Sequence, residues 1–214
     1  ITLVAPGSTT ISAKFAGGEV SGTTYAPKTV TYALTVLKAP ATPTSTVYVK
    51  VTSTAGITDG EYLIVYEDAE GNPKAPVAFD GSLAPVKLDV ASNNIEVSIA
   101  SNTIAGNTDI DAATFTINTT AGTIQTKDGY YIGQTSNANG LATSTTTEYT
   151  NTISIENDGS ATIISSGGAY LRYNSANDNL RFRYFKSSTY TAQKAIALYK
   201  KASSHTLTYG TCEN

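Results

Sequence analysis

The chain has 214 residues, with 14 Lys and Arg against 17 Asp and Glu and a formal net charge of −3. That balance excludes a general polyanion binder, because affinity for phosphate backbones needs a surplus of basic side chains, so no nucleic-acid partner is expected. A lone cysteine, Cys212, excludes an intrachain disulfide framework or a thiolate metal cluster, and no apolar run is long enough to insert in a membrane. Hydrophobic residues reach 40% and charged ones only 14%; Thr, Ser, Asn and Gly supply the remaining polarity, the mixture of pleated surfaces joined by turns, and so an all-β fold is expected.

Residues 1–37 read as short strands between glycine turns. Ile11, Ala13 and Phe15 fall on one face of the first strand. Val30, Tyr32, Leu34 and Val36 alternate with Thr31, Ala33 and Thr35, the period of a strand with one buried face. Gly7-Ser8-Thr9-Thr10-Ile11-Ser12-Ala13-Lys14-Phe15, a Gly-rich hairpin and Thr31-Tyr32-Ala33-Leu34-Thr35-Val36 together resemble the C-terminal half of a bacterial immunoglobulin-like domain. The resemblance implies a partial immunoglobulin-like β-sandwich over 1–37, with the missing strands on a longer chain or donated by another chain. The chain opens at Ile1 in mid-strand sequence without a signal peptide, and is read as a mature or excised piece of something longer. Residues 38–45 carry Pro40 and Pro43, which favour extended backbone and cannot donate to a ladder, so the linker and the domain boundary are placed there.

From Val47 to about residue 200, strands and turns follow one another with no helical period sustained over ten residues. Val47, Val49 and Val51 alternate, as do Ile95, Val97 and Ile99; Tyr62–Tyr66 is a continuous apolar run, and Asn157-Asp158-Gly159 signals a hairpin turn. One pattern recurs three times: Gly60-Glu61-Tyr62-Leu63, Gly129-Tyr130-Tyr131-Ile132 and Gly168-Ala169-Tyr170-Leu171. A repeated turn-plus-strand is how one structural unit is copied around an axis. Closing strands are expected at Thr114–Ile117, Ser160–Ile163 and Ala195–Tyr199, which divides the region into units 46–117, 118–164 and 165–200. The first unit is enlarged by an insertion near Asp68–Leu88, and the repeated tyrosines are expected to pack inside. Three units of this kind resemble a β-trefoil, the fold of ricin-type lectin domains. The resemblance implies a β-trefoil-like domain over 46–201; a β-sandwich or irregular barrel is the alternative. Residues 202–214, with Thr206-Leu207-Thr208-Tyr209-Gly210, read as a tail or the start of a further module.

A second resemblance spans about 150 residues. Asp59–Glu67, Val77–Gly81, Gly129–Ser136, Tyr170–Ser175 and Lys194–Lys200 are similar to a module of extracellular multidomain proteins of gut Bacteroidota. It implies a secreted or cell-surface bacterial protein and modular character.

The candidate site lies in the third unit, where Tyr170 to Lys186 holds all three arginines of the chain among dense aromatics. Aromatic faces stack on sugar rings while Arg and Asn bond hydroxyls, so Arg172, Tyr173, Asn174, Arg181 and Arg183 are the expected ligand-binding residues, with Tyr130 as a further stacking platform. In a strand from Arg181 to Phe185, Arg181, Arg183 and Phe185 share one face while Phe182 and Tyr184 share the other. Two arginines on one sheet face would suit a carboxylate or sulfate. The alternative is that the aromatics are core and the arginines solvated, their stems covering apolar surface.

No acidic turn has the spacing of a calcium loop, and His205, the one histidine, lies in the tail, a poor place for a catalytic base. No metal and no cofactor are expected, and the chain is read as non-catalytic. The expected function is an extracellular binding module for a glycan or cell-surface polysaccharide. The rival is a structural or adhesive stalk, fibre or pilus-like component whose strands pair with neighbouring subunits.

Overall fold

The computed structural model describes residues 7–36, 46–68, 75–176 and 179–202. The expected linker at 38–45, Asn177, Asp178 and the tail with His205 and Cys212 lie outside them. The chain divides into two compact units, Ile1–Thr44 and Ser45–Asn214. Among the described residues there are nineteen strands and one short α-helix: the protein is all-β.

In the first unit, β1 (Gly7–Phe15) leads into a short hairpin, β2 (Gly18–Val20) and β3 (Thr23–Tyr25), and β4 (Lys28–Val36) returns antiparallel to β1. Ser21 and Gly22 join β2 to β3 with φ of 51° and 81°, the left-handed pair that a two-residue hairpin loop needs. Register sets Ile11 opposite Tyr32 and Ala13 opposite Val30, so the apolar residues of both long strands share a face. That face is open: Phe15, Val30 and Tyr32 are 51%, 41% and 68% exposed.

The second unit begins with β5 (Val47–Lys50) and β6 (Gly60–Tyr66). After them come β7 (Val77–Phe79), β8 (Asn94–Glu96), β9 (Ile99–Ala100), β10 (Thr103–Ala105) and the helix α1 (Thr108–Ala112), whose start is capped by the Asn107 side chain. Two four-strand groups follow: β11 (Phe115–Asn118), β12 (Thr123–Thr126), β13 (Tyr131–Gly133) and β14 (Ala142–Ser144), then β15 (Asn151–Ile155), β16 (Ala161–Ser165), β17 (Tyr170–Asn174) and β18 (Arg181–Phe185). The last strand, β19 (Ala197–Lys201), pairs with both β5 and β6 and so joins the two ends of the unit. All but β15–β18 belong to one eleven-stranded sheet. Single bridges, Thr123 to Thr150 and Ala161 to Ile196 among them, tie it to the four-stranded sheet β15–β16–β17–β18.

The Gly-x-Tyr strands β6, β13 and β17 share one feature: each pairs antiparallel with the strand that follows it. In the second and third copies the turn before the strand is the same in detail. Gly129 and Gly168 have φ of 86° and 83°, where only glycine is free of strain, and donate to the carbonyls of Thr126 and Ser165. The hydroxyls of those two residues accept from the next N–H, of Tyr130 and Ala169. Of the stretches expected to close the first two units, β11 pairs with β6 on one side and with β12 on the other, and β16 lies between β15 and β17. Periodicity finds strands, but which neighbour a strand joins depends on turns and on partners distant in sequence.

The core runs between the two sheets. Tyr62, Ile64 and Tyr66 of β6 pack with Phe115, Ile163, Leu171, Tyr173, Phe182 and Tyr184, and Leu63 and Val65 point into a second cluster with Tyr48, Ile104 and Tyr199. Burial on both faces is why Tyr62–Tyr66 is apolar without alternation. The expectation that the repeated tyrosines pack inside is met by Tyr62, which is fully buried, whereas Tyr131 and Tyr170 are half-buried. β6 is covered on both sides, while β13 and β17 turn their tyrosines outward.

Strand β18 ends its sheet, and an unpaired edge is a template for misassembly. Here the edge is covered. Ser92 N–H donates to the Leu180 carbonyl at 2.7 Å and Gly140 N–H to the Tyr184 carbonyl at 3.0 Å. Between them the fully buried Asn93 amide accepts from Phe182 N–H at 2.8 Å and donates to the Phe182 and Leu88 carbonyls at 2.8 and 2.6 Å.

Candidate functional site

The β17–β18 hairpin separates its side chains by alternation. Register pairs Tyr170 with Phe185, Arg172 with Arg183 and Asn174 with Arg181 on one face. Leu171, Tyr173, Phe182 and Tyr184 occupy the other face, inside the core. The sequence expectation for Arg181–Phe185 divides the residues the same way.

Four of the six expected ligand-binding residues, Arg172, Asn174, Arg181 and Arg183, therefore share the outer face. Tyr173 does not: it is fully buried, stacked on Tyr66 with centroids 4.5 Å apart, and works as core. Tyr130 is half-buried in the turn between β12 and β13, on the other sheet.

Two residues without any sequence signal complete the face. Tyr190, on a single 3₁₀ turn (Tyr190–Ala192), stacks on Tyr170 at 4.2 Å, and its ring lies 5.7 Å from the Arg172 guanidinium carbon, a cation–π contact. The segment carrying it is held by the loop before β14: Asn137 and Asn139 accept from the N–H groups of Ser187 and Lys186 at 2.7 and 2.9 Å. Asp89, from the segment between β7 and β8, contacts Arg183 at 2.8 Å as an ion pair, and its carbonyl accepts from Arg181 at 3.3 Å. Neither was legible, because Asp89 and Arg183 lie 94 positions apart and nothing local to Asp89 marks it.

The electrostatics are uneven. Arg181 also reaches the Asn179 side chain at 2.8 Å. Arg172 is only 9% exposed, and its Nε has no hydrogen-bond partner. Burial lowers its pKa below the ordinary value for a guanidinium, yet an arginine keeps its proton throughout the accessible pH range.

Two clefts lie elsewhere on the unit. One of about 390 Å³ is lined by Tyr66, Glu67, Asp68, Asp158, Ser160 and Lys194. It brings three acids together, but each is engaged. Glu67 accepts from Lys50 and Tyr199, and Asp68 from Tyr66. Asp158 accepts from the Ser160 hydroxyl and from its N–H, hydrogen bonds that hold its carboxyl below the usual carboxylate range. A general acid for glycoside cleavage needs the opposite, a carboxyl kept protonated. The other cleft, about 380 Å³, includes Asp80, Glu96 and Asp109, with Asp80 bound by Ser82. Among the described residues no group of three or more His, Cys, Asp or Glu side chains is placed to hold a metal ion, and no helix is long and apolar enough to cross a membrane.

Compared with known proteins, the chain matches no family model, no curated protein and no solved structure.

Proposed function

We propose that the Ser45–Asn214 unit is a non-catalytic carbohydrate-binding module of a secreted or cell-surface bacterial protein, of the Bacteroidota kind its sequence resembles. One observation carries the reading: the outer face of β17–β18 sets the half-buried Tyr170–Tyr190 stack beside Arg172, Arg183 and Asn174. Aromatic surface bordered by a few oriented polar groups is the composition by which concave sites hold sugars. The engagement of Glu67, Asp68, Asp158 and Asp80 favours binding over hydrolysis. A β-trefoil-like arrangement agrees with the threefold recurrence of a Gly-x-Tyr hairpin and with β19 joining β5 and β6. A glycan array probed with the full chain tests the reading, alongside the double variant Tyr170→Ser, Tyr190→Ser. Binding lost in the variant is expected. No signal on the array, or binding unchanged by the double substitution, overturns the reading.

A second reading rests on a different observation. The β1–β4 ribbon leaves an apolar face open, and a two-stranded ribbon is marginal alone in water. The half immunoglobulin-like domain that residues 1–37 resemble would be completed by strands from a neighbouring subunit, which makes the chain a stalk or fibre component. Light scattering decides between the two readings: concentration-dependent assembly without glycan favours the second.

A further inference from the structure

We propose that the saccharide bound at this face carries an oxyanion, a carboxylate or a sulfate half-ester, and that Arg172 is the residue that takes it. The inference rests on the glycan-binding reading and adds the chemical class of the ligand.

Arg172 and Arg183 stand directly opposite on neighbouring strands, and Arg181 lies on the same face. Like charges so placed repel unless each has a counter-charge. Asp89 supplies one: it pairs with Arg183, and its carbonyl and Asn179 occupy Arg181. Arg172 receives only longer-range attraction, from Glu156 and Asp158. Among the described residues no carboxylate forms an ion pair with it. Its Nε, like that of Arg181, is sealed from solvent without a hydrogen-bond partner, and the Tyr190 ring lies against the guanidinium.

A guanidinium withdrawn from water and left unpaired is costly to keep, and a hydrophobic residue of similar size would fold more easily there. A neutral sugar would leave the charge as it is. An oxyanion would accept from the planar fork in charge-assisted hydrogen bonds, in a partly dry setting where these are strong. The Tyr170–Tyr190 stack then offers its face to the sugar ring that carries the anion.

The test is isothermal titration of the full chain with three oligosaccharides, one bearing uronate, one sulfated and one their neutral counterpart, repeated with Arg172→Gln and Arg172→Lys. At least one acidic ligand is expected to bind about tenfold tighter than the neutral one, the size of one charge-assisted hydrogen bond. The tighter of the two acidic ligands identifies carboxylate or sulfate as the source. Arg172→Gln is expected to erase the preference for the acidic over the neutral ligand, and Arg172→Lys to restore part of it. Equal binding of neutral and acidic ligands overturns the oxyanion, and a preference that survives in Arg172→Gln overturns the assignment to Arg172; either leaves the glycan module standing. Binding of none of the three overturns both. Should Arg172→Gln fail to fold, the wild-type chain decides: acidic ligands must raise its unfolding temperature more than the neutral ligand at equal concentration.

Discussion

Replacing Asn93 with alanine probes how the segment between β7 and β8 is fastened to the arginine hairpin. The Asn93 side chain makes three hydrogen bonds of 2.6 to 2.8 Å, two with Phe182 and one with the Leu88 carbonyl, and is completely buried. Each is worth about 1 kcal/mol net, and the Phe182 N–H and carbonyl left behind would face a dry void rather than water. The expected loss is therefore about 3 kcal/mol, rising toward 5 if the site does not relax. For a unit of this size that lowers the melting temperature by roughly 6–12 °C. Urea unfolding followed by far-UV circular dichroism is the assay, with the m-value required to stay constant so that the midpoint shift reports stability alone. Asn93→Asp keeps the acceptor for Phe182 N–H but removes both donors and buries a carboxylate, so it should cost at least as much at neutral pH. A loss below about 1 kcal/mol in Asn93→Ala at constant m would refute the argument that this amide seals the β18 edge.

Asp89→Asn should act in two directions at once. Its partner Arg183 is a quarter exposed, so screening limits the stability loss to about 1 kcal/mol, while acidic saccharides should bind more tightly as the face becomes more positive; weaker binding in titration would contradict the charge assignment. Tyr184→Phe removes a buried 2.7 Å bond to the Asn151 side chain and should cost about 1–2 kcal/mol in denaturant unfolding. Gly81→Ala would set a methyl group 2.8 and 2.9 Å from the carbonyls of Thr114 and Ala113, backbone that cannot swing aside, so a loss of about 1–3 kcal/mol is expected in the same assay. Burial pushes the Tyr66 and Tyr173 hydroxyls up to about 12. Their pKa is higher folded than unfolded, so this stabilisation is complete below about pH 10 and is lost as pH rises from there toward 12. Over that window circular dichroism should be lost together with the last, buried fraction of the tyrosinate absorbance change; full ionisation with the strands intact would count against it.

Local alternation determined a good deal of this protein. A period of two places Arg181, Arg183 and Phe185 opposite Phe182 and Tyr184 in any strand that contains them, because successive side chains leave a pleated backbone on opposite sides. Glycines at Gly129 and Gly168 announce turns because their φ values are open to no other residue without strain. The same reasoning could not tell one Gly-x-Tyr copy from another. Tyr62 is sealed because β6 has β11 on one side and β19 on the other and a packed cluster on each face, while Tyr170 lies on the outer face of a hairpin beside Tyr190. Nor could it separate the three arginines, which read alike as cations. Only folding brings Asp89 to Arg183 and the Asp89 carbonyl to Arg181 and leaves Arg172 without an ion pair among the described residues. Side-chain direction is a property of one strand; the partner a charge meets depends on how distant segments pack, and no local pattern encodes that.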